Sequence, residues 1–286
     1  STPKPSSAAS DVYKRQRLLF IGDIVGKPGR EIVKRGLRAI VAQHEIDLVI
    51  ANVENAAGGF GITREIGESL VALGVDVMTS GNHIWDKKEV FDYIEIEPRL
   101  IRPANYPAGT PGSGLCTVTT AAGEPVAVVN IMGRIFMQPI DNPFSVVLDQ
   151  IRLAHDHARV VLVDFHAEAT SEKIAMGWYL DSKVTAVVGT HTHVQTADAR
   201  LLPGGTACIT DVGMTGPHNS VIGVEKSAVI SRFIKGLPNR FETASGDPRL
   251  HAVVITADST TGRAINITRL SLNLQDVESL TAQPVA

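Results

Sequence analysis

The sequence is poor in cysteine, has no long apolar run and carries little net charge, and each shortage removes a class of protein. Two cysteines in 286 residues, Cys116 and Cys208, are too few for a disulfide scaffold. Each stands in an apolar stretch that reads as a strand, so two buried thiols in a reducing compartment are expected. No apolar stretch approaches the ~18 residues of a membrane span, and the N-terminus lacks the charged-then-apolar order of a secretory leader. A cytoplasmic protein with no membrane partner is expected. The formal net charge of -3 is not that of a bulk-basic nucleic-acid binder. Charge therefore does not point to RNA, although RNA stays open as a partner, and any attraction for phosphate is local. Beyond the first residues there is no internal repeat or low-complexity tract.

Residues 1–16 are rich in Ser, Ala and Pro and show no apolar period, so they are expected to form a disordered tail or cloning remnant outside the fold. Residues 17–286 are expected to form one domain. From Arg17, short apolar runs alternate with amphipathic stretches. Leu18–Ile21, Leu48–Ala51 and Val75–Thr79 read as strands. A helix after Gly29, Thr63–Leu73 and Lys87–Ile94 read as the intervening helices. This alternation argues for parallel βαβ units. Leu115–Thr120 and Val126–Ile131 flank a short turn and read as a hairpin. Helices near Phe144–Ala154 and Ser171–Tyr179 then alternate with strands Val160–Phe165 and Val184–Gly189. A hairpin around Pro203-Gly-Gly205, a helix near Lys226–Ile234 and strands near Ala252–Thr256 and Ala264–Leu270 complete the chain. The pattern fits two mixed sheets packed face to face with helices outside. Periodicity alone leaves one long mixed sheet open as well.

Strand after strand runs into a metal-competent side chain at its C-terminal end. Leu18-Leu-Phe-Ile-Gly-Asp23 ends on Asp23, and the strand beginning at Leu48 leads to Glu54 and Asn55. The strand beginning at Val77 leads to Asn82 and His83. Val160 leads to His166, and Val187 to His191 and His193. The carboxyl ends of strands in α/β sheets form the ligand crevice, so these groups should converge. Carboxylates, amides and imidazoles without thiolate suit Mn, Fe, Zn or Mg, and the set is large enough for two ions. A single Gly-Asp after a strand is commonly only a turn; it is the recurrence at five strand ends that points to a metal centre. His191 and His193, alternating on an extended segment, should face the same side. His155 and His157 read as a solvated helix end, and His218 sits in a loop that turn chemistry explains nearly as well as substrate binding.

At these residues the sequence resembles the calcineurin-like metallophosphoesterases. Gly81-Asn-His83, Val163-Asp-Phe-His166 and Gly189-Thr-His-Thr-His193 match three of that family's blocks, the last with Thr190 inserted. Val25 stands where the family carries a histidine, and Asn52-Val-Glu-Asn55 replaces an aspartate block. These departures, with Phe20–Gly29, Asp164–Lys173 and Asp211–Pro217, are similar to the bacterial YmdB-type branch. The resemblance implies a four-layer αββα sandwich and a dinuclear centre of iron or manganese, with magnesium or zinc as alternatives. It also implies phosphodiesterase activity on small phosphodiesters, cyclic nucleotides above all, 2′,3′-cyclic and also 3′,5′-cyclic. Carried over residue by residue, Asp23, Glu54, Asn55 and His193 would serve one ion, and Glu54, Asn82, His166 and His191 the other, with Glu54 bridging.

The expected chemistry is attack by a metal-bridging hydroxide, with His83 as general acid to the departing ribose oxygen. Two rivals remain. An amidohydrolase-type barrel would need eight βα units, which the hairpins oppose. A metal-dependent nucleotide-binding regulator would bind without significant turnover. A homo-oligomer is expected.

Overall fold

The computed structural model describes residues 15–282. Its N-terminal part alternates strand and helix: β1 (Arg15–Ile21), β2 (Asp23–Ile24), α1 (Gly26–His44), β3 (Leu48–Asn52), α2 (Arg64–Leu73), β4 (Val77–Thr79) and α3 (Val90–Ile96). The middle comprises β5 (Leu115–Thr119), β6 (Pro125–Met132), α4 (Pro143–His155), β7 (Val160–His166), α5 (Thr170–Tyr179) and β8 (Ala186–Thr190). The last part holds β9 (Arg200–Leu201), β10 (Ala207–Ile209), β11 (Met214–Pro217), α6 (Lys226–Lys235), β12 (Pro248–Asp258), β13 (Ala264–Asn273) and α7 (Leu274–Thr281).

These strands form two mixed sheets. The seven-stranded sheet has the order β2-β11-β12-β1-β3-β4, with β13 on β12, and the six-stranded sheet the order β5-β6-β7-β8-β10-β9. Period-two alternation assigns each strand residue to a layer. Leu18 and Phe20 of β1 join Val126, Val128, Leu162 and Val188 in the core between the sheets. Leu19 and Ile21 turn outward onto Ile32, Val33, Leu37 and Ile40 of α1. On the far side, Val161 and Val163 of β7 pack against Val147 and Ile151 of α4 and Met176 of α5. Each such buried aliphatic side chain contributes about 1.5–3 kcal/mol relative to exposure. The result is the four-layer αββα sandwich, and a closed barrel is ruled out by the two separate sheets.

Local signals explain the helix limits. Thr63 caps α2 by accepting from the Ile66 amide at 3.3 Å, and Gly74 ends it at φ 108°. The expected helix over Lys87–Ile94 is shifted: α3 starts three residues later, at Val90, and runs to Ile96, and a separate 3-10 turn over Ile84–Asp86 precedes it. The expected tail boundary also moves. Arg15 and Gln16 belong to β1, where they pair with Asp258 and Ala257, and Gln16 is buried. The rest of the expected tail lies outside the described residues. Cys116 and Cys208 are buried and unpaired, and burial pushes both thiols up to about 11. No helix among the described residues is long and apolar enough to cross a membrane.

The topology sets up the site. β1, β3 and β4 run parallel, as do β6, β7, β8 and β10, so their C-terminal ends share one edge of each sheet. Asp164 ties the two sheets together there. Its Oδ2 accepts from Thr79 of β4 at 2.5 Å and its Oδ1 from Thr190 of β8 at 2.7 Å. Burial pushes its carboxyl up to about 7 against the pull of His166 and the two hydroxyls.

Candidate metal centre

Asp23, Glu54, Asn55, Asn82, His166, His191 and His193 all meet at this shared edge. His166 ends β7 and is fully buried, and Gly81 makes room for it, since a Cβ at Gly81 would overlap the His166 ring. Glu54 is buried two residues beyond β3. Its Oε1 stands 3.1 Å from His166 Nε2, and its Oε2 accepts the His83 amide at 2.9 Å. Burial would push the Glu54 carboxyl up, yet His166 and the His83 N–H hold it down at about 2. Asp23, also fully buried, lies on the short strand β2 opposite Met214 of β11. Burial raises its carboxyl, with His193 and His166 pulling the other way.

Hydrogen bonding fixes which ring nitrogens face the centre. Thr190 spends its hydroxyl proton on Asp164, so its Oγ1 accepts from His166 Nδ1 at 2.9 Å. The His166 Nε2 lone pair therefore points inward. His193 Nδ1 donates to the Ile222 carbonyl at 2.9 Å, and His191 Nε2 donates to Glu168 Oε2 at 3.1 Å. That leaves His193 Nε2 and His191 Nδ1 inward as well. His166 Nε2 then faces Glu54 Oε1 at 3.1 Å, Asn82 Oδ1 at 3.0 Å and His191 Nδ1 at 3.1 Å. Acceptors thus converge with no donor among them.

This arrangement fits a cation. Protonation of His166 would relieve one contact; burial opposes that, but Glu54 and Asp23 raise the imidazole to about 9. One proton cannot also serve His191 Nδ1, whose ring is pushed down to about 3 by burial and by His166. Nor can it serve Asp23 Oδ1, which is buried without a hydrogen-bond partner 3.9 Å from His193 Nε2. Glu54, His166 and His191 bring ligand atoms within 4.8 Å of one another, a cluster able to hold a metal ion. Asn55 lies against the Asp23 side, with Nδ2 3.3 Å from Glu54 Oε1 and 3.2 Å from His193 Nε2. To ligate there, its amide must turn its oxygen inward.

The His191-Thr-His193 segment differs from the extended expectation. β8 stops at Thr190, and both histidines are left-handed, at φ 100° and 66°. The cause is Asp211, whose Oδ2 takes the Thr192 amide at 3.1 Å and hydroxyl at 2.7 Å and so folds the chain into a turn. The same oxygen accepts Lys173 Nζ at 2.6 Å in a fully buried ion pair. Reasoning from sequence assigned Asp211, Lys173, Thr190 and Glu168 no role; their action depends on pairings between distant segments that no local motif encodes.

His83 stands beside the centre. Its Nδ1 is 2.8 Å from Asp86 Oδ2, and its ring meets Phe60 edge-on at 5.0 Å. A cavity of about 300 Å³ opens over the cluster. Glu54, Asn55, His191 and His193 line one side of it, and Val25, Phe60, Ile222 and Phe241 supply apolar walls. His218 does not line this cavity; it packs against the His251 ring at 4.5 Å.

Comparison with known proteins gives a consistent result. Residues 19–270 match the family model described as YmdB-like protein. A Bacillus subtilis protein named 2′,3′-cyclic-nucleotide 2′-phosphodiesterase is 50% identical over 257 residues, covering 90% of this chain and 97% of that protein. A crystal structure of a novel phosphatase from Mycoplasma pneumoniae superposes with a TM-score of 0.86 at 35% identity, covering 91% of this chain and 94% of the other. A crystal structure of a hypothetical protein from Thermus thermophilus superposes with a TM-score of 0.84 at 44% identity, covering 90% and 99%.

Proposed function

The chain belongs to the YmdB-like protein family and is a hydrolytic enzyme of the phosphodiesterase class, and on that premise we propose that it opens cyclic nucleotides, 2′,3′-cyclic above all, at a centre of two divalent cations. The observation that carries the proposal is the crowding of acceptors at His166 Nε2 by Glu54 Oε1, Asn82 Oδ1 and His191 Nδ1. Glu54, Asn82, His166 and His191 would hold one ion and Asp23, Glu54, Asn55 and His193 the other, with iron or manganese the proposed metals. Such ions, when bound, supply Lewis-acid polarisation of the phosphoryl oxygens and lower the pKa of bound water.

The chain's own residues orient and move protons. Thr190 and Asp164 set the His166 tautomer, and Ile222 O and Glu168 do the same for His193 and His191. His83 is the proposed general acid. Asp86 accepts from its Nδ1 and so orients the ring, whose Nε2–H is given to the departing ribose oxygen. The His83 amide separately anchors Glu54, so this residue supports the centre without joining it. The shared core between the sheets supports one domain as the functional unit. A homo-oligomer in the cytoplasm completes the proposal, supported by Phe233, Ile234 and Leu237, which are exposed on and just beyond α6, and by the two unpaired thiols.

Elemental analysis of protein purified without chelator, coupled to a panel of linear, 2′,3′-cyclic and 3′,5′-cyclic phosphodiesters, tests this reading. Metal-dependent hydrolysis abolished by Glu54→Ala is expected. Tight nucleotide binding with no turnover under any metal would establish a regulator instead.

A further inference from the structure

The cavity over the metal cluster is two-sided, and only its polar side is used by the chemistry above. We propose that Ile222 and Phe241 form a platform that grips the nucleobase of the substrate. This rests on the phosphodiesterase reading and extends it from the phosphate to the group the phosphate is attached to.

Ile222 carries the first observation. It is β-branched, yet it adopts φ 45°, an uncommon and costly conformation for such a side chain. The turn has a use at both ends. The carbonyl points to His193 Nδ1 at 2.9 Å, while the side chain, 53% exposed, lines the cavity. Glycine would satisfy the carbonyl's position without strain. The isoleucine adds an apolar surface in the cavity wall, beside the residues that face the phosphate.

Phe241 is the second. Its ring lines the cavity and carries the Arg232 guanidinium at 5.1 Å from its centroid, and Arg232 itself does not reach the cavity. The strap holding Phe241 is tied to the Ile222 turn: Glu225 N donates to Glu242 O and Ala244 N to Gly223 O, both at 2.9 Å. Thr243 of the strap also packs over Gly26 and Gly59, where a Cβ would meet its side chain. The two apolar residues are thus fixed relative to each other and, through His193, to the centre. With the phosphoryl group at the donor cluster, the remainder of a nucleotide has this wall to lie on. A volume of about 300 Å³ suits one nucleoside, at the small end of ligand pockets.

The test compares kcat/KM for adenosine and cytidine 2′,3′-cyclic phosphates with that for base-free ribose 2′,3′-cyclic phosphate. Wild type should favour the nucleosides. Phe241→Ala should cut that preference by about 5- to 150-fold, as expected for losing one stacking partner, through KM rather than kcat. Ile222→Gly should cut it in the same direction without lowering the melting temperature, which separates binding from structural support. An unchanged preference in both variants overturns the platform. If wild type hydrolyses none of the three esters, the 2′,3′-cyclic substrate reading fails. The platform is then judged by equilibrium binding of adenosine 2′,3′-cyclic phosphate: weaker binding to Phe241→Ala sustains it, and equal binding overturns it.

Discussion

Thr190→Val isolates the device that aims His166. The substitution keeps size and β-branching but removes Oγ1, which accepts from His166 Nδ1 at 2.9 Å and donates to Asp164 Oδ1 at 2.7 Å. Both partners are fully buried, so His166 Nδ1–H is left without an acceptor; Asp164 keeps Thr79 at 2.5 Å. Leaving a buried group unsatisfied costs about 1–3 kcal/mol of folding stability. Freed from Thr190, the imidazole loses its fixed tautomer, and removal of a partner of this kind weakens metal affinity about 10- to 100-fold. That factor equals about 1.4–2.7 kcal/mol and is subtracted from the stabilisation that metal binding gives the native state. For a chain of this size the metal-induced rise in melting temperature should shrink by about 3–10 °C. The assay is thermal unfolding of metal-free and manganese-saturated protein, with affinity from chelator competition. Thr190→Ser, which keeps the hydroxyl, should restore wild-type behaviour. A Thr190→Val protein that is less stable without metal yet binds manganese as tightly as wild type would refute the orienting role and leave Thr190 a structural residue only.

Three further substitutions test other parts of the argument. His83→Ala should slow turnover about 10²- to 10⁴-fold while elemental analysis finds the metal content nearly intact; loss of both ions would move His83 into the ligand set. Lys173→Met leaves Asp211 buried without its cation, and urea denaturation should show a loss of about 3–5 kcal/mol, larger than that of any surface lysine variant. Glu97 lies below the usual carboxylate range because Arg99 donates to it at 2.7 Å. Its contribution is therefore present above the unfolded carboxylate pKa and is lost as pH falls through the lower folded value, so Glu97→Gln should flatten the acid limb of the stability profile, and an unaltered limb would contradict the pairing.

Much of the fold was legible because its two periods differ so plainly. The strand from Leu18 alternates between the inner core and α1, while Ile32, Val33, Leu37 and Ile40 recur on one helical face. Part of what escaped was set by pairing alone. β2 is two residues long and exists because Met214 and Thr215 of β11, from the far end of the chain, lie beside it. α7 escaped although a local signal was present: Asn273 and Asp276 form a reciprocal capping box at its start. The start of β1 was misplaced for a related reason. Arg15 and Gln16 are polar, and only pairing with β12 makes them strand.

The site divides along the same line. Convergence of Asp23, Glu54, Asn82, His166 and His191 followed from strand polarity, which sequence period reveals. The aim of each ring did not, because Thr190, Glu168 and Ile222 act across gaps that only the folded chain closes. Val25 shows the consequence most clearly. Read along the sequence, it is a lost metal donor. In the fold it is buried at the start of α1, its side chain packed against Gly216 and Gly223 at the foot of the turn that carries Ile222. A histidine there would put a polar ring under that turn. Valine instead extends the apolar wall that begins with Ile222 and Phe241. The residue that supplies no ligand to the proposed centre thus supplies part of the apolar side of the cavity, so the proposed ligand set and the proposed nucleobase wall share this one position.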